Sequence, residues 1–309
     1  MISVVVPLFN EEAVIGESCR RLRETMEQCG EEYEIILVND GSRDRTPELA
    51  KEICRADPNF RLISFSRNFG HQTAITAGMD KAGGDAVIVI DADLQDPPQV
   101  MLQMLEKWRE GWQVVYGRRI KRKGETLFKK ITAKLFYRFL RSMSEMDMPV
   151  DAGDFRLLDR KVLDALKTLP EHNRYVRGLV SWLGFRQTWV DYIREERFAG
   201  ETKYPLKKML RLASDGITAF SSKPLRVSVW LGCLFGLIGL IYLAATAVSA
   251  ICRSPMPGWH VVLASLLLLS GVNLIMLGVV GSYISRIYDE VKGRPLYIIA
   301  ETVGFRDNN

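Results

Sequence analysis

Two aspartates separated by one residue follow a short apolar run in this chain. Asp91 and Asp93 come directly after residues 86–90, whose length and β-branched content are typical of a buried strand. Two carboxylates beyond a buried strand are costly to hold side by side unless a cation lies between them. Mg²⁺ binds one or two carboxylates together with substrate phosphates. The pattern therefore predicts a divalent cation bound to a diphosphate, and the alternative for a lone acidic pair is a solvated turn.

The elements around this pair alternate between strand and helix. The sequence predicts strands at 2–7, 35–38, 61–65 and 86–90 and helices at 11–29, 46–57 and 72–81. This alternation indicates an α/β domain with a mostly parallel sheet and right-handed crossovers. Such sheets bind ligands beyond the carboxyl ends of their strands. The polar turns that follow the strands should therefore meet at one edge and form a binding site.

Two long stretches near the C-terminus carry no charged residue. They cover residues 227–252 and 261–285, and each could cross a hydrocarbon core of roughly 30 Å. The alternative is a pair of buried core helices. Cations flank the outer ends of both stretches, whereas the loop between them holds only Arg253 and His260. The positive-inside rule then places both termini and the large domain in the cytoplasm, and no signal peptide precedes the first strand.

Two amphipathic helices are predicted at about residues 121–141 and 204–220. Their apolar faces and basic flanks favour a position in the membrane interface, and the alternative is packing on the domain core. The net charge of +5 is modest and the cations gather near these segments, which fits an anionic lipid surface better than nucleic acid. The five cysteines are scattered, so the sequence supports neither a zinc site nor a disulfide framework.

Six motifs lie at residues 5–12, 38–46, 66–70, 91–98, 151–157 and 197–204. As a set they resemble family 2 glycosyltransferases, and more closely the polyprenyl-phosphate sugar transferases, which include bactoprenol glucosyltransferases and dolichyl-phosphate mannose synthases. The resemblance implies a GT-A, Rossmann-like domain at 1–225, a two-helix transmembrane hairpin at 226–288 and a cytoplasmic tail at 289–309. It also makes a homotetramer an expectation.

The resemblance assigns roles to individual residues. A nucleotide sugar donor would be bound by Pro7, Phe9, Glu11, Val38, Asp40, Asp91, Ala92, Asp93 and Arg197. Mg²⁺ or Mn²⁺ would be held by Asp91, Asp93 and Gln95. The catalytic set is Asp93, Asp154, Arg118, Arg197 and Lys203. An acceptor phosphate would contact Arg118 and, from the amphipathicity of the first interface helix, Lys134, Arg138 and Arg141.

Two of these roles have structural alternatives. Asp40 could instead form a local Asx turn in Asn-Asp-Gly. Asp154 could act as a base or orient the acceptor, or it could be a structural carboxylate that positions Arg156 or Arg118.

The implied reaction transfers a hexose, with glucose from UDP-glucose expected, to undecaprenyl or another polyprenyl phosphate at the cytoplasmic membrane face. The acceptor phosphate is largely ionised at neutral pH, since its second pKa is about 6, and it needs no strong base. In-line attack predicts inversion at the anomeric carbon. The alternatives are a different donor, such as a UDP-N-acetylhexosamine or GDP-mannose, a polysaccharide synthase, and an inactive sugar-nucleotide-binding membrane scaffold. The synthase is disfavoured because the chain has no Gln-x-x-Arg-Trp motif.

Overall fold

A computed structural model describes residues 1–121, 152–172, 174–195 and 258–305, together with a few helical positions between 230 and 241. These residues form two compact units. One contains the N-terminal residues together with those that follow residue 293, and the other contains a long apolar helix.

An eight-stranded sheet organises the first unit, with the order β7-β5-β6-β4-β1-β2-β3-β8. The strands are β1 (Ile2–Leu8), β2 (Tyr33–Asn39), β3 (Phe60–Phe65), β4 (Ala86–Val89), β5 (Val114–Lys121), β6 (Ala152–Asp159), β7 (Gln187–Ile193) and β8 (Ile299–Val303). The first four are parallel, as is the pair β5 and β7. β6 and β8 run antiparallel to their neighbours. The predicted mostly parallel α/β sheet is confirmed.

Helices cover both faces of this sheet. They are α1 (Ile15–Cys29), α2 (Thr46–Ala56), α3 (His71–Lys81), α4 (Val100–Arg109), α5 (Arg160–Lys167) and α6 (Val176–Trp182). α1, α2 and α4 bury their apolar sides against one face, where Val4, Leu37 and Phe155 form part of the core. α3 covers the other face, because a Cβ at Gly78 would meet the side chains of Val5 and Val38. Burial on both faces explains why the central strands read as continuous apolar runs.

The second unit is described by α7 (Gly258–Lys292), which contains the second predicted span. Within the described residues, one 24-residue stretch, Leu269–Lys292, is long and apolar enough to cross a membrane, and none of its most apolar window is buried. The first predicted span, 227–252, lies mostly outside the described residues.

Two predicted boundaries differ from the structure. β5 continues to Lys121, so the first residue of the predicted helix 121–141 belongs to a strand. The rest of that helix and the helix 204–220 lie outside the described residues. α7 runs to Lys292, past the predicted boundary at 288, because charged residues can continue a helix once it leaves apolar surroundings. The segment after it is not only a tail, since it supplies β8.

Candidate active site

The carboxyl ends of β1 and β2 are joined by reciprocal hydrogen bonds between their turns. The Asn10 amide donates to Ser42 Oγ at 3.0 Å, and the Arg43 amide donates to Asn10 Oδ1 at 2.9 Å. The Glu11 amide donates to Thr46 Oγ1 at 2.8 Å. Asn10 has a φ of 54°, a left-handed conformation that a non-glycine residue adopts rarely and often at functional sites. The two turns therefore form one rigid wall of the site.

Asp40 connects the second turn to the third. Its buried carboxylate accepts hydrogen bonds from the Phe69 amide at 2.6 Å, the Gly70 amide at 3.0 Å and the Asn68 side chain at 2.9 Å. Burial raises the pKa of Asp40 although these backbone donors oppose the shift. The local Asx turn is made by Asn39, whose Oδ1 accepts from the Ser42 amide. Asp40 instead reaches across the sheet edge.

The other residues predicted to line the donor pocket differ in exposure. Pro7, Val38 and Ala92 are buried, Glu11 is half-buried and Phe9 is 36% exposed. The Val38 side chain points under α3, toward the position where a Cβ of Gly78 would be. Phe9 thus presents an accessible ring near the turn formed by Asn10 and Ser42, whereas Val38 stabilises the sheet beneath it.

The turn after β4 carries the predicted metal ligands. Asp91 Oδ1 is buried and has no hydrogen-bond partner among the described residues. Burial raises the pKa of Asp91 to about 6, and His71 opposes that shift. Asp93 Oδ1 accepts from the Gln95 amide at 3.1 Å, and Leu94 between them has a φ of 58°. A leucine in this conformation costs about 1–3 kcal/mol, which the surrounding contacts must offset.

This turn fits a divalent cation that also binds a ligand phosphate. The buried Asp91 oxygen accepts no hydrogen bond among the described residues, and its ion pair with His71 is 3.5 Å long, so coordination to a cation would stabilise it further. Within the described residues, no three His, Cys, Asp or Glu side chains form a ready-made metal site. Two carboxylates and an amide oxygen are nevertheless what Mg²⁺ uses when the substrate supplies the remaining oxygens.

Asp154 lies in a network that the motifs did not reveal. Arg177 in α6 makes a bidentate pair with it, with both N–O distances 2.8 Å, and Gln72 Nε2 donates to it at 3.2 Å. His71 Nε2 lies 3.3 Å from Asp154 Oδ2 and 3.5 Å from Asp91 Oδ1. His71 therefore links the turn at residues 91–95, which carries the predicted metal ligands, to β6.

The charges of this network favour one ionisation state. Burial opposes ionisation of Asp154, but Arg177 and His71 outweigh it and hold its pKa well below the usual range. Burial likewise lowers the pKa of His71, yet Asp91 and Asp154 outweigh it and raise the pKa to about 9. Arg177 and His71 thus favour the ionised form of Asp154, and the two carboxylates favour the protonated form of His71.

The structural alternative for Asp154 placed it beside Arg156 or Arg118, and Asp154 does interact electrostatically with Arg156. Arg156 donates to the Gly153 carbonyl at 2.9 Å, and Arg118 forms a bidentate pair with Asp191 at 2.5 and 2.7 Å. The Arg118 guanidinium also lies over the Trp189 ring, 4.5 Å from its centroid. Arg118 therefore belongs to an exposed β5–β7 surface, where it lies directly opposite Asp191 in the strand register. Its predicted phosphate contact stays a prediction.

Asp96 anchors the turn at residues 91–95 to strands β5 and β7. It is 1% exposed, accepts from the Tyr192 hydroxyl at 2.5 Å and lies 3.4 Å from Arg119 Nη2. Arg119 Nε donates to the same hydroxyl at 2.9 Å, and the Glu195 amide donates to the Gln95 carbonyl at 2.9 Å. β7 thus fixes the turn that holds Asp93 and Gln95.

Five predicted site residues lie outside the described residues, and their roles stay predictions. They are Lys134, Arg138, Arg141, Arg197 and Lys203. The sequence analysis missed His71, Asp96 and Arg177. His71 directly follows the motif at 66–70 and Asp96 lies within the motif at 91–98, so adjacency to a motif was an available signal. Arg177 had none.

Comparison with known proteins places the chain in a well-populated family. Residues 3–167 match the model described as glycosyl transferase family 2, and residues 223–287 match the GtrB C-terminal hairpin. An uncharacterized glycosyltransferase of Bacillus subtilis (strain 168), YkcC, is 56% identical over 99% of this chain and 95% of the relative. The SfII prophage-derived bactoprenol glucosyl transferase of Shigella flexneri is 42% identical over 97% of this chain and 98% of the relative.

Among solved structures, one similar chain is glucosyl-3-phosphoglycerate synthase from Mycobacterium tuberculosis in complex with Mn²⁺, UDP and phosphoglyceric acid. It aligns with a TM-score of 0.49 at 22% identity and covers 71% of this chain and 76% of that one.

Proposed function

Since the chain belongs to glycosyltransferase family 2, we propose that it transfers glucose from UDP-glucose to undecaprenyl phosphate or a similar polyprenyl phosphate. The full-length similarity to proteins named bactoprenol glucosyl transferase supports both the sugar and the lipid acceptor. The observation that carries the proposal is the turn after β4, where a buried Asp91 oxygen beside Asp93 accepts no hydrogen bond among the described residues and has His71 Nε2 3.5 Å away. That turn suits a cation bound to a sugar-nucleotide diphosphate.

The donor would lie along the joined turns at the sheet edge. Phe9 offers an exposed ring to the base, and the Glu11 carboxylate can accept hydrogen bonds from a base or a ribose diol. Asp40 would shape the nucleotide pocket by holding the loop at 68–70, since it is buried and both of its oxygens accept hydrogen bonds from that loop. Asp91, Asp93 and Gln95 would hold Mg²⁺ or Mn²⁺, which would neutralise charge on the departing diphosphate.

The acceptor phosphate is an anion that attacks without a strong base. We propose an inverting, in-line transfer in which Arg197 and Lys203 close over the diphosphate and Arg118 contacts phosphate. Asp154 is a poor base, because its paired carboxylate binds protons weakly. Its bidentate pair with Arg177 and its contact with His71 favour the role of holding the sheet beneath the reacting groups.

The protein is proposed to work at the cytoplasmic membrane, with the catalytic domain and both termini in the cytoplasm. The apolar helix α7 and the match to a C-terminal hairpin support membrane attachment. The interface helices, with Lys134, Arg138 and Arg141, would bring the catalytic edge to the depth of the lipid phosphate. The limit at residue 225 and the homotetramer stay predictions, and light scattering of the purified protein tests the latter.

A transfer assay with purified full-length protein tests the proposal. The protein is incubated with undecaprenyl phosphate, Mg²⁺ or Mn²⁺ and a panel of labelled UDP- and GDP-sugars, and label is measured in the organic phase. We expect metal-dependent transfer from UDP-glucose that EDTA and Asp93→Ala abolish. Transfer from another donor would replace glucose with that sugar. Nucleotide binding without any lipid-linked label would support the scaffold or a different acceptor.

A further inference from the structure

The chain that follows the apolar helix α7 returns to the sheet domain and extends it. β8 pairs antiparallel with β3, with Leu62 opposite Val303 and Ser64 opposite Glu301. The register shifts between Ser64 and Phe65, and the pairing then resumes as the Ser66 amide donates to the Ile298 carbonyl at 3.0 Å. The C-terminal segment therefore holds the first residue of the loop at residues 66–70.

Tyr297 contacts the elements on both sides of this loop. Its ring stacks on Phe65, the last residue of β3, with centroids 5.2 Å apart and planes 18° apart. Its hydroxyl donates to Asp80 Oδ2 at 3.1 Å, near the end of α3. Phe65 in turn packs edge-on against Phe69 inside the loop, at 5.6 Å. One side chain thus fixes the entry of the loop and the helix that leaves it.

The same loop holds the donor-site groups of the neighbouring turns. Phe69 and Gly70 donate their amides to Asp40, so a displaced loop would release that carboxylate. Gly41 packs so tightly on Arg67 that a Cβ at position 41 would clash with the loop backbone. His71, which lies beside Asp91, is the first residue of α3 and directly follows the loop. Displacement of the loop would therefore reach both the nucleotide end and the diphosphate end of the site.

We propose that residues 294–303 complete the donor site and that Tyr297 is a positioning residue for the loop at 66–70. The inference rests on the proposed function, in which Asp40 and the loop at 66–70 form the nucleotide pocket. Tyr297 is not one of the predicted donor or metal residues, and it acts through Phe65 and Asp80. The sheet domain without this segment would keep its core but bind the nucleotide weakly.

Nucleotide binding by full-length variants in detergent tests the inference. We would measure the Kd for UDP with Mn²⁺ by calorimetry, and hydrogen exchange of the peptide that contains Phe69 and Gly70. Tyr297→Ala removes the stacked ring and should raise the Kd about tenfold, the size expected for losing a packed aromatic pair. Exchange at Phe69 and Gly70 should become faster, while exchange in β1 should not change.

A matched control lies in the same C-terminal segment. The Arg61 guanidinium lies 5.5 Å from the Phe305 ring centroid, at the end of β3 opposite the loop, so Phe305→Ala should leave the Kd within about twofold. Tyr297→Phe keeps the stacked ring and loses the hydrogen bond to Asp80, so its Kd should rise about threefold. This variant decides the question if Tyr297→Ala fails to fold.

The outcomes separate the inference from the function it rests on. The inference alone would be overturned if the wild-type protein binds UDP and both Tyr297 variants bind it with the same Kd. Unchanged hydrogen exchange at Phe69 in the variants would overturn it as well. A wild-type protein that binds neither UDP nor GDP would overturn the proposed function, and this inference with it. A Kd raised equally by Phe305→Ala would overturn the specific role of Tyr297.

Discussion

The hydroxyl of Tyr192 should contribute more to stability than a single hydrogen bond between neutral groups would. It donates to the buried Asp96 carboxylate at 2.5 Å and accepts from Arg119 Nε at 2.9 Å. Burial raises the pKa of Tyr192, so the hydroxyl stays protonated and remains a donor. A hydrogen bond to a charged group contributes about 1.5–3 kcal/mol, and Tyr192→Phe also leaves Arg119 Nε without this acceptor. We expect a loss of about 2 kcal/mol in the free energy of unfolding.

The packing of the ring should survive this substitution. Tyr192 meets Phe155 edge-on at 5.7 Å, and a phenylalanine would keep that contact. The measured loss would thus report the polar network rather than a cavity. A control on the neighbouring strand is Tyr116→Phe, because the Tyr116 ring packs against Trp189 at 6.2 Å and a phenylalanine would keep that contact. We expect that control to change stability by less than about 0.5 kcal/mol.

Urea unfolding of the full-length protein in detergent, followed by tryptophan fluorescence, measures the difference. With a slope of about 2 kcal/mol per molar urea, Tyr192→Phe should lower the midpoint by about 1 M. Direct Mn²⁺ titration by electron paramagnetic resonance should also show weaker binding, because Asp96 holds the turn that carries Asp93 and Gln95. Equal midpoints for Tyr192→Phe and Tyr116→Phe would refute the reasoning.

Two further predictions concern packing and thiol chemistry. Gly78→Ala should lose about 1–3 kcal/mol of stability, because the added methyl overpacks α3 against the sheet. Gly16→Ala in α1 meets open space and should gain up to about 1 kcal/mol. The denaturant midpoints of the two variants test both expectations. Burial raises the pKa of Cys19 and of Cys54 to about 12, so about one in ten thousand of these thiols is ionised at pH 8. Iodoacetamide at pH 8 should therefore leave both unmodified in the native protein and alkylate the less buried Cys29 first, as peptide mass spectrometry would show; rapid native labelling of Cys54 would contradict this.

Local sequence information predicted the first half of the sheet well. β1 to β4 are buried on both faces, so each reads as an apolar β-branched run bounded by polar turns, and the predicted limits agree within about two residues. β6, β7 and β8 were not predicted. The sequence of β6 places Asp154 and Arg156 among apolar residues, and a charge such as that of Asp154 is stabilised by a partner outside the strand.

The candidate site likewise has parts that could be predicted from the sequence and parts that could not. Convergence of the turns at 7–11, 39–42 and 91–95 follows from parallel strands alone, so it was predictable. The reach of Asp40 to the amides of residues 69 and 70, and the pairing of Asp154 with Arg177, depend on how separate elements pack. Sequence patterns carry the chemistry of each residue, but the identity of a distant partner arises only in the folded chain.

The pairing of β8 with β3 also has a consequence for how the protein is made. Ile63 pairs with Thr302, so most of the chain separates the two strands. A ribosome must synthesise the apolar helix α7 before β8 emerges, and until then β3 is an open sheet edge. Unprotected edges invite association with other chains, and pairings between distant segments form slowly. Completion of the sheet should therefore be a late step in biogenesis that follows insertion of the C-terminal helix.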